Sequence, residues 1–376
     1  METQLGKLSL GLGISLVWLL FFGMSQNSHA AEATREHEYI EEVEKDYALR
    51  QFKPLRITNV RGDISVQGWS LDKLRIKFRK RVVSSSPIQA TQLLSTMDYR
   101  YSPNESSLEI SSQYGKDLSI AERIKEKENP KVRLEIVVYA PSHLKLNVWG
   151  VDGSLILKNW GGLAELRSHS GLVRVENFKG EAVSVTCESC SAQYKTVRGS
   201  IRSSTGKGAV ELSQVEGRNI YVETLDGAIQ LFEVVGDQLY TSRQGSIQGR
   251  FLKGKVEFHA EDSKVSLSEL DGFLSGYLEK GSLQAQVKSW KPTDQAMIET
   301  LAADVDLTFP RLFSASVDVW SKQGSSEIRL PLVQEADLPM SGPLPTGRMM
   351  GRVREGGKLL RVLSETGSIQ LHSEVL

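Results

Sequence analysis

A spacing constrains this chain more than any single motif. A small turn residue followed by apolar residues at the second and fourth positions after it recurs along the sequence, as in Gly227 with Ile229 and Leu231. The same rung is written by Gly153 with Leu155 and Leu157, Gly171 with Val173 and Val175, Cys190 with Ala192 and Tyr194, and Gly208 with Val210 and Leu212. It continues through Gly245 with Ile247 and Gly249, Ser263 with Val265 and Leu267, Gly281 with Leu283 and Ala285, and Ala303 with Val305 and Leu307. The turn residues stand 18 or 19 apart until a last step of 22. A unit this short cannot bury its own apolar face, so neighbouring copies must stack into one continuous core.

Alternation at period two makes each unit a strand, with Ile229 and Leu231 on one face and Gln230 on the other. A second strand precedes each turn, seen in the apolar pairs Leu146 and Val148, Ala164 and Leu166, Val183 and Val185, Ile220 and Val222, and Val256 and Phe258. Each repeat therefore holds at least two short strands joined by corners, where glycine reaches positive φ without a Cβ clash. So short a repeat has no room for crossover helices, and equivalent strands should pair in parallel. The expected fold class is all-β: a parallel β-solenoid (β-helix) with coils of about 18–22 residues and a small helix-containing amino-terminal insertion or cap. With about 4.8 Å between paired strands, about ten coils make a rod roughly 45–50 Å long. An antiparallel meander or a propeller is the rival, although WD-type blades need about 40 residues each.

The chain divides on this reading into a signal peptide at residues 1–30, a capping region at 31–142 with the first coil and a charged insertion, a solenoid body at 143–330, a Pro/Gly-rich loop at 331–350 and a terminal coil at 351–376. In the leader, Lys7 precedes an apolar stretch at residues 8–24, and Ser28 and Ala30 supply the small residues that cleavage requires. The alternative is an uncleaved anchor. Either way the expectation is an exported protein of the periplasm, the cell envelope or the extracellular space. The balance of 46 basic and 46 acidic residues argues against a nucleic-acid partner.

In the capping region, residues 36–46 are acidic and fit helical and strand spacing equally well. Residues 55–66 form a full rung with Gly62 as corner and Ile64 and Val66 inward. Leu74, Ile76 and Phe78 then alternate with Lys73, Arg75 and Lys77, and Arg79, Lys80 and Arg81 extend the positive charge. This patch could hold an anionic glycan or lipid of the envelope; the other reading is a solvated outer face balanced by nearby acids. Ser86-Pro87 signals a helix start, with Ala90, Leu93, Leu94 and Met97 as its apolar stripe. Its expected role is to cover the open end of the stack. Residues 121–130 read as an exposed charged loop, after which Val132, Leu134, Ile136 and Val138 alternate inward.

Both cysteines of the chain, Cys187 and Cys190, occupy one corner. Four-residue turns bring such α-carbons within about 7 Å, near disulfide range, and an exported protein favours the oxidised pair. A redox pair would need a helix amino terminus; a metal site would need further ligands, with His169 the nearby candidate; free thiols are the remaining reading. Farther on, residues 290–296 read as a corner enlarged into a loop, residues 316–330 add a coil, and Leu360, Val362, Gly367, Ile369 and Leu371 write a final rung.

No catalytic motif emerges. The 6 histidines form no metal-ligand spacing, there is no nucleophile elbow, P-loop or zincin helix, and no cofactor is expected. A polysaccharide-cleaving β-helix would need acids and a base on one outer face, for which His259, Glu261, Asp262 and Asp226 are the candidates, but corners are where Asp ordinarily sits. The run Asn59-Val60-Arg61-Gly62-Asp63-Ile64-Ser65-Val66, the Gly-Ser-Ile and Gly-Ala-Ile rungs and the closing Ser364-Glu365-Thr366-Gly367-Ser368-Ile369 resemble the bacterial putative-adhesin β-solenoid family, whose function is unassigned. The resemblance covers most of the chain from about Leu55 onward and brings no catalytic residues. The expectation is a non-enzymatic protein presenting an extended surface for adhesion or envelope-polymer binding. A scaffold that self-associates through coil ends and a glycan-active enzyme are the alternatives.

Overall fold

The computed structural model describes residues 36–49, 51–114, 132–292, 294–334 and 345–374; the expected leader and the charged loop at 121–130 lie outside them. Among the described residues there is one helix, and the strands join one large, mostly parallel sheet that is not closed. The spacing seen in the sequence is the register of that sheet. Strands β2 (Leu55–Arg61) and β3 (Ile64–Trp69) pair with β8 (Leu146–Asp152) and β9 (Leu155–Lys158), matching Leu55 to Leu146 and Ile64 to Leu155. Those strands pair in turn with β10 (Ala164–Lys207), which pairs with β11 (Val210–Trp290). Between β10 and β11 the offset is 18 at Ala192↔Val210 and 19 at Ile201↔Ile220, the change falling at an irregularity between Arg198 and Ile201. The cause is one added residue, since Gly217-Arg218-Asn219-Ile220 stands where Gly199-Ser200-Ile201 stood. The last widening, to 22 at Gly276↔Ile298, follows from the short break between β11 and β12 (Ala296–Phe309).

Inward residues of this ladder make one cluster that runs from Leu55 to Leu371, with Ile229, Val210, Ile247 and Val265 fully buried. Side chains between them face out, as the period of two demands.

Positive-φ or closely packed glycine positions recur in three columns along the ladder, of which the sequence reading recognised one. The second is a column of non-glycine residues at positive φ: Asn159, Asn177, Thr196, Gln214, Glu233, Phe251 and Glu269, with φ between 53° and 59°. Such a conformation is disfavoured for β-branched and aromatic residues and persists where the surroundings hold it. Here the hold is the next side chain, because Trp160, Phe178, Val197, Val215, Val234, Leu252 and Leu270 follow those residues and are buried. The third corner is a column of glycines stacked on glycines. A Cβ on Gly236 would lie 1.7 Å from the Gly217 carbonyl oxygen, and one on Gly199 would lie 2.2 Å from that of Gly180.

The two ends depart from the expected plan. Helix α1 (Pro87–Thr96) is capped by Ser86 as foreseen and buries Ala90. It packs with Val82, Ala90 and Met97 in a small cluster of its own. Strands do the covering. β6 (Leu108–Tyr114) pairs in parallel with β2 and antiparallel with β5 (Met97–Pro103), while β7 (Val132–Pro141) pairs in parallel with β3. β7 carries β4 (Lys73–Ser84), and β4 carries β1 (His37–Ala48), both antiparallel. The physical reason is hydrogen bonding: a strand edge presents unpaired N–H and C=O groups that another strand satisfies and a helix side cannot.

At the other end, β13 (Ala315–Ser321) and β14 (Ser326–Arg329) do not stack on β12. The final rung, β17 (Leu359–Ser364) and β18 (Ile369–Ser373), lies between them. Ile298 matches Val362, which matches Val319, and Leu307 matches Leu371, which matches Ile328. The terminal rung is therefore interposed, not terminal in the stack. Strands also begin and end the stretch expected as a loop at 331–350: β15 (Leu332–Gln334) and β16 (Met349–Val353) pair antiparallel, and β16 pairs with β13.

Candidate functional site

The basic strand is where the sequence first pointed, and the structure gives its charges partners. Lys73, Arg75, Lys77, Arg79 and Arg81 share one face of β4, and register places Asp46, Glu44 and Glu42 of β1 opposite Arg75, Lys77 and Arg79. Asp46 accepts from Lys73 Nζ at 2.9 Å and from Arg75 Nε at 2.7 Å. Lys77 meets Glu44 at 2.8 Å, Arg79 meets Glu42 at 2.6 Å, and Arg81 Nε donates to Glu38 at 2.7 Å. Lys80, on the opposite face, donates to Glu41 at 3.0 Å. Hydrogen bonds from Arg75 and then Lys73 hold the Asp46 carboxyl well below the usual carboxylate range. Water screens such exposed pairs, so they fix the register of β1 more than they stabilise the fold. The stretch that was ambiguous in sequence is thus a strand, His37–Ala48, set in register by the complementary charge of β4.

Cys187 and Cys190 are joined, their α-carbons 5.7 Å apart. Their corner explains itself by comparison with others. In the equivalent place, Ser321 Oγ accepts from Gly324 N at 3.0 Å, and Ser364 Oγ accepts from Gly367 N at 2.9 Å. Thr300 Oγ1 donates to Ala303 O at 3.2 Å. At these corners a small polar residue three positions earlier ties the turn shut, and the disulfide is the covalent form of that tie; Thr205 and Thr224 hold the same place with a buried hydroxyl that has no partner. His169 lies on the neighbouring rung at 2.6 Å from Glu188.

Of the residues that a glycan-cleaving site would use, His259, Glu261 and Asp226 sit in separate surroundings. His259 stacks on Tyr277 with centroids 5.2 Å apart, and Glu261 pairs with Arg243 at 3.3 Å. Asp226 sits in register with Lys207 at a corner. Corner aspartates elsewhere tie neighbouring rungs together: Asp63 accepts from Ser154 N at 2.7 Å, and Asp304 from Ser368 N at 2.8 Å. Among the described residues no group of three His, Cys, Asp or Glu side chains could hold a metal ion, and no helix is long and apolar enough to cross a membrane.

The concave surfaces are shallow grooves across the outward faces. One of about 490 Å³ crosses β2, β8 and the start of β10. Because Leu146 and Val148 point inward, Lys145, Asn147 and Trp149 point out, and register sets Thr58 and Arg167 on either side of Trp149 and Arg56 and Glu165 on either side of Asn147. Trp149 is 38% exposed, the one tryptophan among the described residues that counts as exposed. Arg167 is held by Glu165 at 3.0 Å, and Arg56 lies 3.6 Å from Glu109. A larger groove, about 980 Å³, runs over the stacked glycines Gly199, Gly217 and Gly236 between Glu181, Arg198, Arg218 and Asp237. Sequence reading passed over Trp149 because a lone outward aromatic in an alternating strand carries no periodic signal.

No family model matches the chain, and no curated protein matches it. Among solved structures, it is similar to a putative cell adhesion protein from Clostridium sporogenes, at 10% identity and a TM-score of 0.23, covering 89% of this chain and 100% of that one. A putative adhesin from Bacteroides fragilis is similar at 12% identity and a TM-score of 0.33, covering 71% of this chain and 97% of that one. A putative lipid binding protein from Parabacteroides distasonis is similar at 12% identity and a TM-score of 0.28, covering 71% and 96%.

Proposed function

We propose that the chain winds as a parallel β-solenoid and works outside the cytoplasm as a binding protein for envelope polymers, without catalysis of its own. The observation that supports this best is the constant parallel register, with offsets of 18 and 19 between β10 and β11. A register so regular holds outward side chains in straight files about 4.8 Å apart. Such files suit a long repetitive ligand better than a small substrate, which enzymes enclose in deep clefts. The apolar leader in the sequence and the disulfide at Cys187 and Cys190 support export. We place the binding face on the outward side chains of the ladder instead of on β4, whose cations are matched by β1.

Self-association through the ends is less well supported. The outer strands at one end are β1, rich in glutamate, and β5, which closes on Pro103, and those at the other, β14 and β15, are short; charge, proline and brevity are the usual ways of blunting an edge. The test is retention of the purified protein on immobilised envelope polysaccharide, with sedimentation over a range of concentrations alongside. Retention by a species of constant mass is expected. Growth in mass with concentration and no retention would favour the scaffold, and release of reducing ends would favour the enzyme.

A further inference from the structure

We infer that the groove at Trp149 is a subsite for an acidic glycan, a sugar chain bearing carboxylates. The inference rests on the binding role proposed above and names its ligand class and place. Three features of the groove point the same way. The Trp149 ring lies exposed on an otherwise polar sheet face, and an aromatic face with no protein partner is a platform for the apolar face of a sugar ring. The neighbouring Asn147 lines the same groove, and its Oδ1 is buried without a hydrogen-bond partner; an unmatched amide gains by turning outward to accept from a ligand hydroxyl.

Charge settles the class. Arg56, Lys145 and Arg167 line the groove with one acid, Glu165. Glu165 is engaged by Arg167, and Arg56 has Glu109 nearby. Lys145 has no carboxylate within ion-pair distance among the described residues, so the groove keeps an uncompensated positive charge. Lys145 lies four residues, about 13 Å, along the strand from Trp149, so the carboxylate of a neighbouring sugar in the same chain, not of the ring stacked on Trp149, would meet it. The contrast with β4 is instructive, since that strand has more cations but each is neutralised by the fold itself. A lipid surface fits less well, because the groove is open and lined mainly by charged and polar side chains.

The experiment is calorimetric titration of the full chain with oligogalacturonate, with the fully methyl-esterified oligomer as a neutral match and with anionic vesicles of phosphatidylglycerol as the lipid arm. Retention on whole envelope material is measured in parallel. The acid oligomer is expected to bind at least tenfold more tightly than the ester. Trp149→Ala should weaken it at least tenfold, Trp149→Phe should keep most of it, and Lys145→Glu should remove the preference for acid over ester. Circular dichroism and melting curves confirm that each variant folds, which the exposure of both side chains favours. Equal binding by wild type and Trp149→Ala, binding to envelope material but not to the oligomer, or binding to vesicles alone would each overturn the inference while leaving the broader role intact. Failure to bind any envelope material would remove both.

Discussion

Deleting residues 359–376 should unfold the last part of the ladder and leave the rest standing. Strands β17 and β18 are hydrogen-bonded on both sides, to β12 and to β13 and β14. Leu360, Val362, Ile369 and Leu371 are all fully buried, and burying such side chains stabilises by about 1.5–3 kcal/mol each. Their loss removes roughly 6–12 kcal/mol, an upper estimate because unfolded chains are partly compact. That is comparable to the whole stability of a typical domain, about 5–15 kcal/mol. Repeat architectures lose structure locally, since each unit contacts only its neighbours. Amide hydrogen exchange should therefore show residues 315–329 and 349–353 unprotected in the truncated protein, with residues 164–290 unchanged. A synthetic peptide of residues 358–376 should restore protection. Because association costs about 4–15 kcal/mol of lost freedom, the peptide should bind no better than micromolar. Persistent protection of residues 315–329 without the peptide would refute the interposed arrangement.

Three further outcomes follow from single corners and pairs. Replacing both Cys187 and Cys190 by alanine should cost about 2 kcal/mol, the chain-entropy figure for so small a loop. Cys187→Ser with Cys190→Gly should cost less than about 1 kcal/mol, because it rebuilds the hydrogen-bonded corner found at Ser364 and Gly367; urea midpoints compare them. Gly236→Ala, at φ +133° with a carbonyl 1.7 Å from the new Cβ, should cost more than about 2 kcal/mol. Gly161→Ala, whose nearest neighbour is at 3.4 Å, should cost less than about 1 kcal/mol. Acid should also weaken the fold through Asp318: burial pulls its carboxyl up, but Arg348 and Arg361 pull harder and leave it below the usual range. The unfolded chain then takes the proton first, so this stabilisation is complete above about pH 4 and is lost as pH falls through the lowered value. Asp318→Asn should be less stable at pH 7 by about 3 kcal/mol, the low end for a broken buried pair because both arginines reach water. Its melting temperature should also fall less steeply from pH 4 to pH 2.

What the sequence disclosed was whatever repeats at period two. Gly227, Ile229 and Leu231 announce a corner and two inward positions, and the register of the sheet follows from their spacing. The second corner was hidden because its residues share a conformation and not a chemistry: Asn177, Thr196 and Phe251 have φ near 55°, and the buried residue after each stands alone, without an alternating partner. Chain order in the stack was equally hidden. Nothing local distinguishes a rung at Leu360 and Val362 that ends the ladder from one that inserts between β12 and β13. The acid run at residues 36–46 and the cations of β4 were each visible, but their pairing joins strands with β2 and β3 between them in sequence, a long-range match that composition does not reveal. The Trp149 groove is legible only once Arg56 and Arg167, far apart in sequence, are set in neighbouring strands.

The register itself can be measured by cross-linking. In a Cys187→Ser, Cys190→Gly background, Gln193→Cys with Glu211→Cys places two thiols on paired outward positions. Adjacent strands set such α-carbons about 4.8 Å apart, within disulfide range, whereas Gln193→Cys with Gln230→Cys spans two rungs, about 9.6 Å. Rapid oxidation of the first pair with none of the second is what parallel stacking requires; bridging of the second pair, or of neither, would contradict it.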